Sequence, residues 1–285
     1  MNIAVTFLPR KDRDPLPPIA FIGGGNMASA IIGGLIKQAA LPQNFEVVEP
    51  FADARKRLAS EFGIEALAEA GNALTRCAVV VWAVKPQSFA QAAHEVRPFT
   101  GNALHLSVAA GIPSDSIARW LGTERVVRAM PNTPALIGQG MTGLYARKAV
   151  DSAGRKLVEQ VLAATGELLW VDAEDALDAV TAVSGSGPAY VFYFIEAMTD
   201  AGVELGLTPE QAQRLAIGTF TGASALASGA SEPPAVLRER VTSKGGTTHA
   251  AISSMDADDL KARFKAAIRA AHGRAGELAR EYGRG

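Results

Sequence analysis

The chain has 285 residues, of which 48% are hydrophobic and 20% are charged, and its formal net charge is −1. This near-neutral balance argues against a nucleic-acid partner, because such proteins usually present a basic surface. Cys77 is the only cysteine of the sequence, so an intrachain disulfide is excluded, which fits a reducing cytoplasm. No cysteine–histidine cluster suggests a metal, and no apolar run approaches the roughly 20 residues of a membrane span. The length favours two domains over one.

A glycine motif follows the first predicted strand. Residues 19–22 form a short uncharged run that is typical of a strand buried on both faces, and Gly23, Gly25 and Ala28 follow in the spacing G-x-G-x-x-A. Residues 27–38 then continue with the apolar stripe of a helix. This order of strand, glycine turn and helix is the context of the dinucleotide-binding fingerprint. In that motif Gly23 allows the tight turn, Gly25 lets the backbone approach a pyrophosphate, and Ala28 permits close packing of the helix. A glycine turn without a ligand is the alternative.

Strands and helices alternate between residues 18 and 173. Beyond the first strand and helix, we predict strands at residues 45–49, 79–84, 103–108, 125–129, 141–145 and 168–171, and helices at residues 52–62, 115–121 and 153–164. Ser114 is expected to cap the second of these three helices. The alternation predicts an α/β domain of the Rossmann type, with a doubly wound parallel sheet and helices on both faces. Residues 1–17 precede it as a tail, to which we assign no function.

Every element predicted after residue 173 is a helix, so residues 174–285 are expected to form an all-helical domain. The helices are predicted at residues 188–205, 208–227 and 235–241, from residue 248, and at residues 257–282. Thr208–Gln211 is a capping box with a proline in the first helical turn, and Asp256 is expected to cap the last helix. The first of these helices is apolar on all sides, and the rest of the domain is too small to cover it. This pattern predicts an obligate homodimer.

The end of the second predicted strand gives conflicting signals about the cofactor. An acidic side chain at this position usually binds the ribose 2′-hydroxyl of NAD, whereas a basic one accommodates the 2′-phosphate of NADP. Glu49 occupies the acidic position, yet Arg55, Lys56 and Arg57 follow closely. The basic residues are equally compatible with a solvated helix face. The choice between NADPH and NADH therefore stays open at this point.

Two further strand ends carry unusual loops. Lys85 precedes Pro86, and we favour a shaped turn that carries positive charge near a phosphate or carboxylate over a catalytic base. Asn132 and Thr133 lie between two prolines, which limit the freedom of the backbone. Polar side chains fixed in this way suit contact with a cofactor, although a rigid connection is the alternative. Both loops are expected at the carboxyl edge of the sheet, where ligands bind in this fold class.

Two glycine- and serine-rich loops precede helices in the second half of the chain, at residues 184–190 and 242–249. Each places backbone N–H groups and hydroxyls at a helix start, which favours binding of an anion. Helix capping alone would explain one such loop. Two of them beside a nucleotide-binding domain predict a site for a substrate carboxylate. His249 lies next to the second loop, and we expect it at the surface or behind the residues that contact the substrate rather than in proton transfer.

With these motifs in view, the chain resembles the pyrroline-5-carboxylate reductases over nearly all of residues 18–280. The resemblance depends on five motifs in order, which are FIGGGNMA at residues 21–28, AVKP at 83–86, RAMPNTPA at 128–135, SGSGPAY at 184–190 and VTSKGGTT at 241–248. Lys244 stands where the family usually has proline, and Glu49 is not the typical family residue at its position. The resemblance implies reduction of 1-pyrroline-5-carboxylate to L-proline by NADPH or NADH, in the last step of proline biosynthesis, by a homodimer that is sometimes assembled into a decamer.

The resemblance also implies the roles of individual residues. Thr248 and Ser184 would be the catalytic residues, and Gly246, Thr247 and Thr248 would bind the substrate. The residues expected to bind NADPH, with NADH as an alternative, are Gly23, Gly25, Asn26, Met27, Ala28, Asn72, Ala83, Val84, Lys85, Pro86 and Asn132. No metal is expected. A protonated cyclic imine is already electrophilic, so positioning and the hydride donor provide most of the catalysis.

Two alternatives belong to other functional classes. A 3-hydroxyacid dehydrogenase of similar architecture would use a lysine within the helical region as its acid and base, but the predicted helix at residues 188–205 contains none. A non-catalytic nucleotide-sensing protein would need only the motifs of the first domain. It would leave both glycine- and serine-rich loops of the helical half unexplained. The sequence therefore favours the reductase.

Overall fold

The computed structural model describes residues 16–283, so nearly all of the predicted tail lies outside the described residues. The described part divides into two compact units. One comprises residues 16–186 together with residues 271–283, and the other comprises residues 187–270. The domain limits expected from the sequence stay predictions.

The first unit contains a seven-stranded sheet. Its strands are β1 (Ile19–Ile22), β2 (Phe45–Val48), β3 (Val79–Trp82), β4 (Leu104–Ser107), β5 (Val126–Met130), β6 (Gly140–Ala146) and β7 (Gly166–Trp170). They lie in the order β2-β1-β3-β4-β5-β6-β7, and every neighbouring pair except one is parallel. The order reverses between β1 and β3. At such a switch point the loops that follow the strands leave room for a ligand.

The exception is the pair β5–β6, which is antiparallel, with Arg128 opposite Tyr145. The sequence had predicted a parallel sheet throughout. The connection between these strands contains a single 3₁₀ turn, Thr133–Ile137. A parallel pair needs a crossover of a dozen or more residues, so a connection this short forces the chain to reverse direction.

The sheet is covered on both faces, as its uninterrupted apolar strands require. In β1, Ile19 and Phe21 belong to one hydrophobic cluster, while Ala20 and Ile22 belong to the other. The same alternation continues in β3, and all four of its residues are fully buried. Side chains of a strand point alternately to opposite faces, so neither face meets water. The doubly wound α/β prediction is confirmed.

The helices of this unit are α1 (Asn26–Lys37), α2 (Ala52–Phe62), α3 (Pro86–Val96), α4 (Ser114–Leu121), α5 (Ser152–Leu162) and α6 (Ala176–Val180). The prediction that Ser114 caps α4 is wrong. Pro113 occupies the cap position, and the Ser114 hydroxyl instead donates to Glu174 Oε2 at 2.5 Å. A hydrogen bond to a charged acceptor is about twice as strong as a neutral one, which explains why the carboxylate takes the hydroxyl.

The second unit is helical. It contains α7 (Gly187–Glu204), α8 (Pro209–Ser228), α9 (Pro234–Arg240), α10 (Thr247–Ala257) and the first part of α11 (Leu260–Tyr282). The capping box of α8 is confirmed, because Thr208 and Gln211 bond reciprocally through their side chains and backbone N–H groups. The prediction for Asp256 is wrong: it lies within α10. The chain turns at Asp258 and Asp259, where the positive φ of Asp259 (+53°) breaks the helix.

The helix α7 has no buried residue, although it is the most apolar helix of its unit. Tyr190 and Phe194 contact Phe264 edge-to-face, with ring centroids 5.7 and 5.4 Å apart. Phe192 and Tyr193 are 65% and 69% exposed. None of the helices within residues 16–283 combines the length and the apolar character needed to cross a bilayer.

Candidate active site

The glycine loop after β1 has the geometry that close approach by a ligand requires. Gly23 has a φ of +94°, and a Cβ atom there would lie 2.6 Å from the carbonyl oxygen of Ala83. Both the conformation and the space therefore demand glycine. Gly25 differs, because its φ is −77° and a Cβ atom would meet no atom within 4 Å. Within residues 16–283 no neighbouring atom requires glycine at that position, which leaves open space beside the loop.

The start of α1 lies directly after this loop. Its cap residue is Gly25, which offers no side chain, and its first turn holds no acidic residue. The first N–H groups of a helix have no partner within the helix, so they face outward uncapped. The partial positive charge of the helix end favours an anion there. Ala28 is fully buried, which lets α1 pack close to the sheet. These features fit the pyrophosphate of a dinucleotide.

The neighbouring strand β3 contributes the second loop of this edge. The backbone N–H of Ala83 donates to Ile22 O at 2.8 Å, which joins the ends of β1 and β3. Ala83 and Val84 are half-buried, while Lys85 is the exposed cap residue of α3, with Pro86 in the first turn. The structure thus brings the AVKP motif to the same edge as the glycine loop. Asn72 is exposed at the start of a separate 3₁₀ turn, Asn72–Arg76.

Asn132 and Ser184 are 52 residues apart in the sequence and bonded in the structure. The Asn132 amide Nδ2 donates to the Ser184 hydroxyl at 3.2 Å and to its carbonyl oxygen at 3.3 Å. The amide oxygen of Asn132 accepts the Met141 N–H at 2.9 Å. Both ends of the amide are therefore engaged within the protein. Asn132 fixes Ser184 as well as contributing to the carboxyl edge of the sheet.

The segment around Ser184 is helical and not the loop that the sequence predicted. A π-helical turn, Thr181–Gly185, continues α6, and α7 begins at Gly187. A Cβ atom at Gly185 would lie 2.6 Å from the terminal methyl group of Met130, so this flexible side chain would have to move. Wide turns of this kind are rare and occur frequently at functional sites.

A buried polar cluster lies beside this segment. Arg128 Nη1 donates to Glu174 Oε1 at 2.7 Å, and the Ser114 N–H donates to the same oxygen at 2.6 Å. Burial raises the pKa of the Asp178 carboxyl, an effect that the positive charges of Arg128 and His272 oppose. The sequence gives no signal of this cluster, because its members lie far apart between residues 114 and 272.

The second unit contains the residues expected to bind the substrate. Gly245 has a φ of +79°, and Gly246 caps α10 without a side chain. Thr247 and Thr248 begin the helix, are exposed, and have no acidic neighbour in the first turn. This helix start therefore also presents uncapped N–H groups, as suits a carboxylate. His249 is exposed, as expected.

Comparison with known proteins identifies the family. Residues 174–278 match the family model described as pyrroline-5-carboxylate reductase dimerisation, and residues 18–111 match the one described as NADP oxidoreductase, coenzyme F420-dependent. A pyrroline-5-carboxylate reductase of Pseudomonas aeruginosa is 46% identical over 269 residues, which cover 94% of this chain and 98% of the relative. The chain belongs to the pyrroline-5-carboxylate reductase family. The resemblance drawn from the five motifs is confirmed.

Other members of the family agree. A pyrroline-5-carboxylate reductase of Arabidopsis thaliana is 36% identical, with 91% of this chain and 95% of the relative covered. The solved structure of the reductase from Coxiella burnetii superposes with a TM-score of 0.87 at 37% identity and covers 93% of this chain and 99% of its own. The structure from Plasmodium falciparum, described with NADP bound, has a TM-score of 0.83 at 26% identity and the same coverage.

The role of Glu49 in this family member was left open by the sequence. It is 6% exposed, and its carboxylate accepts the backbone N–H groups of Gly24 and Phe51 at 2.7 and 2.9 Å. Nearby, Arg57 donates to Gly24 O, and Arg55 donates to Glu49 O and Pro50 O. The sequence offered one sign of an unusual role for Glu49, because this residue differs from the types that the family usually has at that position.

Proposed function

We propose that this protein reduces the C=N bond of 1-pyrroline-5-carboxylate with NADPH and releases L-proline. The observation that carries the proposal is the pair of helix starts, at α1 and α10, that have glycine at the cap position and no acidic residue in the first turn. The first suits a pyrophosphate, and the second suits the single carboxylate of a small substrate. Family membership supports the same reaction, which is the last step of proline biosynthesis.

NADPH is proposed as the cofactor, with NADH as the less favoured donor. The residues proposed to bind it are Gly23, Gly25, Asn26, Met27, Ala28, Asn72, Ala83, Val84, Lys85, Pro86 and Asn132. Gly25 leaves the space for the pyrophosphate, and the backbone at Ala83 and Val84 borders the same edge of the sheet. The exposed ammonium of Lys85 adds positive charge at the start of α3. When bound, the nicotinamide supplies the hydride.

The protein's own contribution is binding and orientation. Gly246, Thr247 and Thr248 hold the substrate carboxylate through the N–H groups at the start of α10, and the Thr248 hydroxyl bonds the ring nitrogen. Ser184, fixed by Asn132, shapes the nicotinamide side of the site. A protonated imine accepts hydride without a strong side-chain acid, so positioning accounts for most of the rate. Ser184 and Thr248 are therefore the proposed catalytic residues.

The active form is proposed to be a homodimer formed through the helical unit. All 18 residues of α7 are at least partly accessible in one chain; Phe192 and Tyr193 are 65% and 69% exposed, and Leu205, directly after the helix, is 86% exposed. An apolar surface of this kind on a single chain marks an interface. Association of dimers into a decamer, and location in the cytoplasm, stay predictions.

The decisive assay follows NADPH absorbance in the presence of 1-pyrroline-5-carboxylate and measures the L-proline formed. We expect one proline for each NADPH consumed. Oxidation of a 3-hydroxyacid with NADP serves as the control for the alternative dehydrogenase and should be absent. A protein that binds NADPH but leaves 1-pyrroline-5-carboxylate unchanged would refute the proposal.

A further inference from the structure

The carboxylate of Glu49 is fully engaged with the backbone. Oε2 accepts the Gly24 N–H at 2.7 Å, and Oε1 accepts the Phe51 N–H at 2.9 Å. The residue is 6% exposed, whereas an acid that binds a ribose hydroxyl must present its oxygens to the ligand. The first bond joins the end of β2 to the middle of the glycine loop, and the second fixes the turn between β2 and α2. They are charge-assisted, which makes them stronger than bonds between neutral groups.

Gly24 is held from a second side by the helix that follows Glu49. Arg57 Nη2 donates to the Gly24 carbonyl oxygen at 3.3 Å, so both polar backbone groups of Gly24 are bonded to one segment of the chain. A Cβ atom at Gly24 would lie 2.6 Å from Leu58 Cδ1 and 3.4 Å from Glu49 Oε2. The loop is therefore fixed at its centre, while its neighbour Gly25 faces open space.

The two arginines beside Glu49 are used differently. Arg55 is half-buried, and its Nη1 donates to Glu49 O at 2.9 Å and to Pro50 O at 2.7 Å. Arg57 is exposed, and within residues 16–283 it makes the one side-chain hydrogen bond to Gly24 described above. A guanidinium has five N–H donors in a planar fork, so Arg57 retains donors for a phosphate. Lys56 is also exposed, but it pairs with Asp53 at 3.5 Å.

We infer that Glu49 positions the glycine loop and does not bind the ribose, and that Arg57 selects the 2′-phosphate of NADPH. The inference depends on the proposed function, because it assigns residues to the cofactor of that reaction. An acid at the end of the second strand ordinarily favours NAD. Here its charge is committed to two N–H groups and lies beside two guanidinium groups. The guanidinium of Arg57 rests on the loop next to the position where the phosphates bind.

The inference and the usual role of the acid predict opposite results for Glu49→Gln. If Glu49 holds the loop, one of its two hydrogen bonds is lost, because the NH₂ group of glutamine replaces an acceptor oxygen and faces a backbone N–H donor. Affinity for NADPH and for NADH should then fall by a similar factor, on the order of tenfold. If Glu49 bound the ribose, removal of its charge would weaken NADH and strengthen NADPH. The ratio of the two dissociation constants separates these outcomes.

Arg57→Ala tests the second half of the inference. We expect NADPH to bind on the order of tenfold to a hundredfold more weakly, and NADH to be unchanged within about twofold. Lys56→Ala is the matched control, because it removes the same charge from the adjacent position without touching Gly24. Arg57→Lys keeps the charge but not the fork and should give an intermediate affinity.

The dissociation constants are measured by calorimetry on the full chain, without substrate, for NADPH, NADH and adenosine 2′,5′-bisphosphate. Melting curves show whether each variant is folded. If Glu49→Gln does not fold, the Arg57→Ala and Lys56→Ala variants, at exposed positions, still test which residue selects the phosphate. A wild-type protein that binds neither dinucleotide refutes the proposed function. If the wild-type protein binds both dinucleotides, two results would refute the present inference alone. One is a higher NADPH affinity of Glu49→Gln, and the other is an equal loss of NADPH affinity in Arg57→Ala and Lys56→Ala.

Discussion

Replacement of Gly25 by valine tests the glycine loop most directly, because the structure separates the effect on folding from the effect on binding. Gly25 has a φ of −77°, which valine can adopt, and its Cβ atom would lie more than 4 Å from any other group. Loss of a glycine also reduces the freedom of the unfolded chain, by about 0.4–1 kcal/mol. We therefore expect Gly25→Val to keep or slightly raise the melting temperature.

Cofactor binding should respond in the opposite direction. The new side chain would fill the space that a pyrophosphate needs beside the start of α1. We expect the dissociation constant for NADPH to rise by at least about a hundredfold, which corresponds to about 2.7 kcal/mol. Calorimetric titration with NADPH measures this loss, and scanning fluorimetry on the same samples measures the melting temperature.

Gly23→Ala is the matched control, since it introduces a smaller side chain in the same loop. Gly23 has a φ of +94°, and its Cβ atom would lie 2.6 Å from the Ala83 carbonyl oxygen. The left-handed conformation alone costs about 1–2 kcal/mol, so this variant should lose several degrees of melting temperature. A folded Gly25→Val protein with normal NADPH affinity would show that the open space does not serve the cofactor.

Three further predictions concern the substrate, the assembly and the pH dependence. Thr248→Ala and Thr248→Val should lower kcat/KM for 1-pyrroline-5-carboxylate by one to two decades, or roughly 1.5–3 kcal/mol, with unchanged NADPH affinity. The melting temperature should also stay unchanged, because the cap residue is Gly246. A fall in stability with normal kinetics would contradict the substrate role. Phe192→Glu should yield an inactive monomer in light scattering, whereas an active monomer would argue against the dimer. Burial lowers the pKa of His105 to about 4, so neutral His105 contributes about 3 kcal/mol to stability above pH 6.5, and this contribution is lost as the pH falls towards 4. His105→Gln should flatten this part of the profile of stability against pH, whereas His94→Gln, at an exposed position, should not.

The fold was predictable where neighbouring residues determine it. The uninterrupted apolar strands required cover on both faces, and the glycine spacing marked the turn after β1, because these patterns lie within a few residues of each other. The antiparallel pair β5–β6 was not predicted, although the shortness of the connection through Thr133–Ile137 carried that information. The misplaced caps at Ser114 and Asp256 have different causes. Ser114 bonds Glu174 because a side chain that can cap a helix also bonds elsewhere when a better partner approaches. Asp256 was misplaced because the break between α10 and α11 falls at Asp258 and Asp259.

The role of Glu49 could not be obtained from the sequence, because its partner Gly24 lies 25 residues away. The pattern at the end of β2 supplied an acid and three basic residues, and both cofactors remained compatible with them. The choice depends on which oxygens and which guanidinium groups are already engaged. That information exists only once β1 and β2 have paired and α2 has packed against the loop.

The bond between Asn132 and Ser184 changes what the Ser184 hydroxyl can do. Its oxygen accepts from Asn132 Nδ2 at 3.2 Å, and its own proton points towards Met141 O at 3.5 Å. A hydroxyl that has both of these partners in the same unit is oriented by the protein, which reduces its freedom to donate a proton elsewhere. We therefore expect Ser184 to contribute orientation rather than acid catalysis, in agreement with a substrate whose protonated imine needs no strong acid. Asn132 lies between two prolines, which limit the freedom of its backbone. Its amide therefore fixes the position of Ser184, although no local sequence pattern places these two residues beside each other.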